Sequence, residues 1–336
     1  MASRIAVDAM GGDHAPEAVV NGAVQAVRHA DALEVLLVGP EAPINELLDE
    51  HSAEVHEQIS VFGAPDVIGM GEAPSKAVKQ KTDSSIHRGL AAHHDGMADA
   101  FVSAGNTGAI MGASMFILGC IEGVERPSIA GFFPTLKNPS VVLDIGTNVD
   151  CKPVHLVQFA RMGTIYARQV LKKEDPTVGL INIGEEAGKG NEQAKKTHDL
   201  LDSAGDIRFK GNVEGGDLLF YAADILICDG FVGNILLKFG ESMTTVLSEM
   251  TEQEMDRQGL SAEERETVTG VLGEVRKGFD AESMGGAPLL GVDGNVLIGH
   301  GSSSPAVIEQ MIHAASALAA EDIVDTIASS FQPDAA

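Results

Sequence analysis

The chain has 336 residues, 44% of them hydrophobic, with few aromatics and no Trp, which is enough to bury a sizeable α/β core. Its 23 Lys and Arg against 49 Asp and Glu give a net charge of −26, which argues against general nucleic-acid binding and unassisted adhesion to anionic lipid and resembles the acidic surfaces of salt-adapted proteins. Cys120, Cys151 and Cys228 form no C-x-x-C pair, so neither a disulfide framework nor a zinc site is indicated and a reducing cytoplasm is the default.

The N-terminus enters a strand at residues 5–9 without a signal-peptide layout. A glycine loop over 10–16 leads into a helix to about His29. Residues 33–38 and 59–62 read as buried strands, and 77–94 as one helix carrying a basic stretch, Lys76, Lys79, Lys81 and Arg88. Residues 100–121 lack charge, but the turn SAGNTG over 103–108 makes them strand, loop and helix rather than a membrane span. A strand over 141–143, the loop DIGTNVD and a helix over 153–171 follow. Next come a strand over 178–183, a loop holding Lys189, and a helix opening at Asn191. The strand 224–228 runs through the loop DGFVGN into another helix. Residues 241–282 are helical in propensity, hold 11 acidic against 4 basic residues and break near Gly259, so they predict a protruding helical hairpin. The whole reads as one large domain over 1–331 with a frayed tail at 332–336.

Five of these junctions share one format: strand, loop of Gly with Asp or Asn, helix. In an open α/β sheet such loops line the carboxyl edge, where ligands bind. The loop around Lys189 adds a cation and backbone N–H groups at a helix N-terminus, so phosphate is the first ligand to suspect. It is not a Walker loop: three residues separate Gly184 from Gly188, and Gly190 stands where Ser or Thr would bind magnesium. No G-x-G-x-x-G follows the first strand, and no G-x-S-x-G elbow or H-E-x-x-H helix occurs. His51, His56, His93 and His94 lack companions at metal spacing and read as surface histidines. Cys151 reads as a small residue packed in a turn rather than a nucleophile.

With these loops in place, the chain resembles the bacterial phosphate acyltransferase (PlsX) family from Arg4 to about Ser304. The motifs that carry the resemblance are IAVDAMGGDHAP at 5–16, SAGNTG at 103–108 and DIGTNVD at 144–150. NIGEE at 182–186, KGNE at 189–192, GNVE at 211–214, CDGFVGN at 228–234, GGAPLLG at 285–291 and HGSS at 300–303 complete the set. The resemblance implies a homodimeric three-layer α/β/α sandwich like the isocitrate and isopropylmalate dehydrogenases, without their hydride chemistry. It implies transfer of a fatty acyl group from acyl-[acyl carrier protein] to inorganic phosphate, with no cofactor and no metal. The acyl phosphate would feed the membrane glycerol-phosphate acyltransferase in phospholipid synthesis, which places the chain in the cytoplasm or at the inner face of the membrane. Two features depart from the family: Gly216 stands where an arginine is common, and the hairpin through which relatives dock on membranes is acidic here.

Residue by residue, the family's lysine and asparagine fall on Lys189 and Asn234. A phosphate oxygen is already an anionic nucleophile, so the protein must hold it against the thioester carbonyl and stabilise the tetrahedral oxyanion. Lys189 suits that charge, Gly188 and Gly190 permit close backbone approach, and Asn234 offers amide donors. A surface lysine and a helix N-cap are the structural alternatives for Lys189 and Asn234. His14 is the general-acid candidate for the leaving thiolate, with a turn-stabilising role equally open. Asp13, Asn106, Asn148 and Asp229 are assigned to the substrate-binding rim. A phosphate acetyltransferase-like enzyme and a non-catalytic scaffold for membrane lipid enzymes are the competing readings.

Overall fold

A computed structural model of the chain describes residues 2–30, 32–277 and 285–331. The tail at 332–336 and the end of the acidic hairpin at 278–282 lie outside the described residues. The first third runs β1 (Ser3–Asp8), α1 (Glu17–Arg28), β2 (Leu33–Gly39), α2 (Glu41–Leu48), α3 (Ala53–Gln58), β3 (Ile59–Gly63), α4 (Pro74–Gln80), α5 (Ser85–His94), β4 (Ala100–Ser103) and α6 (Thr107–Ile117). Then follow β5 (Ser128–Phe133), β6 (Ser140–Leu143), α7 (Pro153–Gln169), β7 (Thr177–Asn182), α8 (Glu192–Asp202), β8 (Arg208–Glu214), β9 (Ile225–Ile227) and α9 (Gly230–Gln258). The chain ends with α10 (Ala262–Lys277), β10 (Ala287–Leu290), β11 (Val296–Ile298), α11 (Pro305–Ala319) and α12 (Ile323–Phe331).

By its contacts the chain clusters into two compact units. Unit 1 comprises Met1–Ala130, Arg161–Asp175 and Met284–Ala336; unit 2 comprises Gly131–Ala160 and Pro176–Ser283. In unit 1 the strands run β3-β2-β1-β4-β11-β10-β5, parallel from β3 to β11, with β10 antiparallel to both neighbours. Ile5, Ala6 and Val7 of β1 are all buried, the continuous apolar run expected of a strand covered on both faces. The chain leaves β1 towards β2 and returns on its other side as β4. Right-handed crossovers therefore put α1 and α5 on opposite faces of this sheet. In unit 2 the parallel order is β6-β9-β7-β8.

Two local expectations are corrected. The helix predicted over 77–94 is two helices, because residues 81–84 turn and Ser84 caps α5 by accepting the His87 N–H. In that turn the Lys81 ammonium is drawn to the Val67 carbonyl and the Glu72 carboxylate, both at 2.6 Å. His93 is not a surface histidine: its Nδ1 meets the Ala98 carbonyl at 2.8 Å and its Nε2 accepts the Asn295 N–H at 2.9 Å. The acidic hairpin is present as α9 and α10, turned by Gly259 in the left-handed region. Its first helix, however, runs back to Gly230.

Candidate active site

Each unit has a point where its strand order reverses, and the loops there carry the predicted residues. In unit 1 this is the crevice between β1 and β4. Asp8 closes β1 and is buried; its Oδ2 accepts the Ser103 hydroxyl at 2.6 Å and its Oδ1 the Met10 N–H at 3.1 Å. Ser103 in turn accepts the Gly105 N–H at 3.0 Å, so one carboxyl clasps both loops. Burial pushes the Asp8 carboxyl above its ordinary value, against the opposing hydrogen bonds from Ser103, Ser85 and Met10. A Cβ at Gly11 would sit 2.8 Å from both Asp8 Oδ2 and Gly105 N, so only glycine fits over the clasp.

On this rim Asp13 and His14 are exposed, with the Asp13 N–H donating to the Gly301 carbonyl at 2.7 Å. Asn106 is placed differently. Its Oδ1 caps α6 through the Ala109 N–H, and its Nδ2 spans the carbonyls of Gly69, Met70 and Glu72 at 3.0–3.3 Å. Its amide is committed to the protein, tying the segment before α4 to the second loop.

In unit 2 the strand order reverses between β7 and β9; the loop leaving β7 carries Lys189, and the helix that follows β9 carries Asn234. The Lys189 side chain lies over Gly184, whose Cβ would fall 2.8 Å from the lysine Cγ. Its side chain is half exposed, with the ammonium 3.8 Å from the Glu186 carboxylate. Gly190 holds a φ of 89°, and a Cβ there would meet Asn182 Oδ1 at 2.5 Å, so glycine is required. Gly188 has open space around it. Asn191 caps α8 by accepting the Ala194 N–H at 2.8 Å, as the sequence indicates.

The other loop corrects the N-cap alternative for Asn234. The cap of α9 is Asp229, whose Oδ1 accepts the Val232 N–H at 2.9 Å. Asn234 lies one turn inside the helix, half-buried, with its side chain 3.5–3.6 Å from where a Gly146 Cβ would stand. The neighbouring loop after β6 is organised by Asp144, which is fully buried. Its carboxylate accepts N–H groups from Gly146, Thr147 and Asn148 at 2.6–3.1 Å, and the Asn148 side-chain amide at 2.8 Å. Helix α9 sits directly on this loop: the Gly230 N–H donates to the Asn148 carbonyl at 2.8 Å, and a Cβ at Gly233 would stand 1.8 Å from the Asp144 carbonyl oxygen.

The Gln193 amide of α8 donates to the Cys151 carbonyl at 2.6 Å, linking the start of α8 to the same loop. Lys189, Gly190, Asn148, Asp229 and Asn234 thus share one edge of unit 2. Burial and the nearby Asp144 and Asp229 push the Cys228 thiol far up, which suits packing rather than nucleophilic attack. The sequence reading missed Asp8 and Asp144 as organisers. The available signal was an acid closing an apolar strand just before a glycine loop, at AVDAMGG and VLDIGTN.

A family model described as "Fatty acid synthesis protein" matches residues 3–326. The phosphate acyltransferase of Salinibacter ruber is 68% identical over 336 residues, covering 100% of this chain and 99% of its own. That of Chlorobaculum parvum is 46% identical over 333 residues, covering 96% and 97%. Among solved structures, a phosphotransacetylase from Streptococcus pyogenes superposes with a TM-score of 0.63 at 17% identity, over 95% of this chain and 94% of that one. This last likeness supports the fold alone, an α/β architecture built on largely parallel strands. The full-length match to the family model and to its curated relatives places the chain in the phosphate acyltransferase (PlsX) family.

Proposed function

We propose that the chain transfers a fatty acyl group from acyl-[acyl carrier protein] to inorganic phosphate, releasing acyl phosphate and the free carrier thiol for phospholipid synthesis. The observation that carries this, beside the family, is the β7/β9 reversal of unit 2, which sets a lysine-bearing anion loop beside a helix presenting an uncommitted asparagine amide. A phosphate oxygen attacks the thioester carbonyl, a C–O bond forms, and the C–S bond breaks as the tetrahedral intermediate collapses. Lys189 and the backbone of Gly188 and Gly190 hold the phosphate. Asn234 donates to the oxyanion, while Asp229 and Asn148 fix the frame around it. His14 and Asp13 are exposed on the unit 1 rim.

Association as a homodimer belongs to the same reading. Phe231, Ile235, Phe239, Val246 and Met250 recur along one face of α9, each 46–62% exposed, an apolar stripe fit for a second copy. No helix among the described residues is long and apolar enough to cross a membrane. We place the protein in the cytoplasm, with any contact to the membrane glycerol-phosphate acyltransferase made peripherally. Lys76 and Lys79, exposed on α4, are the lysines of the basic stretch left for docking an acidic carrier, since Lys81 is paired and Arg88 stacks 4.7 Å over Phe62.

The test is to incubate the pure protein with acyl-carrier protein and phosphate and to measure free thiol and hydroxylamine-trapped acyl phosphate. Phosphate-dependent release of both in equal amounts supports the proposal. Turnover of acetyl-coenzyme A alone would favour the acetyltransferase alternative, and no thiol release the scaffold.

A further inference from the structure

A cleft of roughly 510 Å³ opens in unit 2 against the Lys189 loop. Its walls are Glu185 from that loop, Lys210, Asn212 and Val213 from β8, and Asp217 and Phe220 from the turn beyond. Asn212 is the informative residue. It is 8% exposed; its Nδ2 donates to the Glu186 carbonyl at 2.9 Å, while its Oδ1 is buried without a partner. A buried acceptor left unmet is costly, and in a native fold it calls for a ligand or water. Glu185 and Asp217 add two exposed carboxylates, whereas the lining cation, Lys210, is engaged with the Ala222 carbonyl at 2.7 Å. The cleft is therefore rich in acceptors, with the Lys210 ammonium as its cation and Phe220, 64% exposed, as an apolar wall. It matches a slender ligand that carries N–H and O–H donors along an aliphatic chain.

We propose that this cleft holds the amide-bearing, pantetheine-type arm of the thioester donor, with Asn212, Glu185 and Asp217 accepting from its amide and hydroxyl groups. The inference rests on the acyl-transfer reading and adds to it where the donor lies. Through Asn212 and Glu186 the cleft shares a wall with the Lys189 loop, so an arm seated there has its sulfur end next to the proposed phosphate loop. Carrier proteins and coenzyme A both present this arm, and acyl-carrier protein compared with acyl-coenzyme A identifies the source.

Two thioesters of one acyl chain test it, one on pantetheine and one on a simple alkanethiol without amides, each with inorganic phosphate. The native protein should favour the pantetheine thioester by roughly tenfold or more in kcat/KM, the scale on which a hydrogen-bonding site rejects an analogue lacking the partner groups. Glu185→Leu/Asp217→Leu should lower that preference at least about fivefold, through KM for the pantetheine donor rather than for phosphate. An unchanged preference in this variant overturns the cleft assignment while leaving acyl transfer intact. Free pantetheine titrated into the native protein gives a readout independent of turnover. Binding weakened in the double variant supports the cleft even if acyl transfer fails, and absence of binding at several times the donor KM overturns it.

Discussion

At the scale of single residues, capping and the proposed chemistry fall on different side chains, which makes them separable. Lys189 is half exposed and its ion pair with Glu186 spans 3.8 Å, so it adds little stability. Lys189→Ala should lose roughly 100- to 1,000-fold in turnover, about 2.7–4 kcal/mol, with its thermal midpoint unmoved. Asn234→Ala should also cut turnover without a stability loss, because Asp229 and not Asn234 caps α9. Asp229→Ala, by contrast, should cost about 1 kcal/mol of stability through the lost cap. Turnover and denaturant midpoints on the three variants check the set, and near-normal turnover in Lys189→Ala would remove the phosphate-loop assignment. Lys189 and its glycines were legible in sequence because cation, Gly and helix start lie within a few residues. The commitment of Asn106 to Gly69, Met70 and Glu72 was not legible, because its partners lie more than thirty residues upstream.

At the scale of elements, the strand–loop–helix junctions were readable because apolar runs and Gly-Asp loops are local signals. The split of 77–94 was missed because helical propensity continues through a turn that Ser84 capping and the Lys81 contacts decide. The seat of α9 on the loop after β6 gives a sharp prediction. Gly233→Ala would drive a methyl group to 1.8 Å from the Asp144 carbonyl, so it should destabilise by about 3 kcal/mol or more in chemical denaturation. A loss below about 1 kcal/mol would show that α9 can lift from its seat. His93 gives a pH dependence. Burial, together with His94, lowers its affinity for a proton, outweighing the opposing Ala98 contact and the charges of Asp99 and Asp293. Because the folded value lies below the ordinary 6.5, the unfolded chain binds the extra proton first. The stabilisation is complete above about pH 6.5 and is lost as pH falls towards the folded value. His93→Gln should flatten this acid slope in thermal midpoints without abolishing it, since burial lowers His87 in the same direction.

At the scale of the whole molecule, a net charge of −26 makes self-repulsion a standing cost that salt screens. The Debye length falls from about 10 Å at 0.1 M salt to about 3 Å at 1 M, so the thermal midpoint should rise by several degrees over that range. A midpoint that falls with added sodium chloride would show attractive ion pairs to dominate instead. Another consequence comes from the order in which the polypeptide is made. Unit 1 is assembled from three separate stretches of chain, and the strand that pairs with β4 on its outer side, β11, begins only at Val296. While the ribosome is still adding the intervening residues, the backbone N–H and C=O groups along that side of β4 have no β11 to bond. The nascent chain thus carries an open sheet edge for most of its synthesis time, tens of seconds or less at about 5–20 residues per second. Premature release before residue 296 should leave a chain that cannot close this sheet and aggregates through β4, whereas full-length release lets β10, β11 and α11 complete it together.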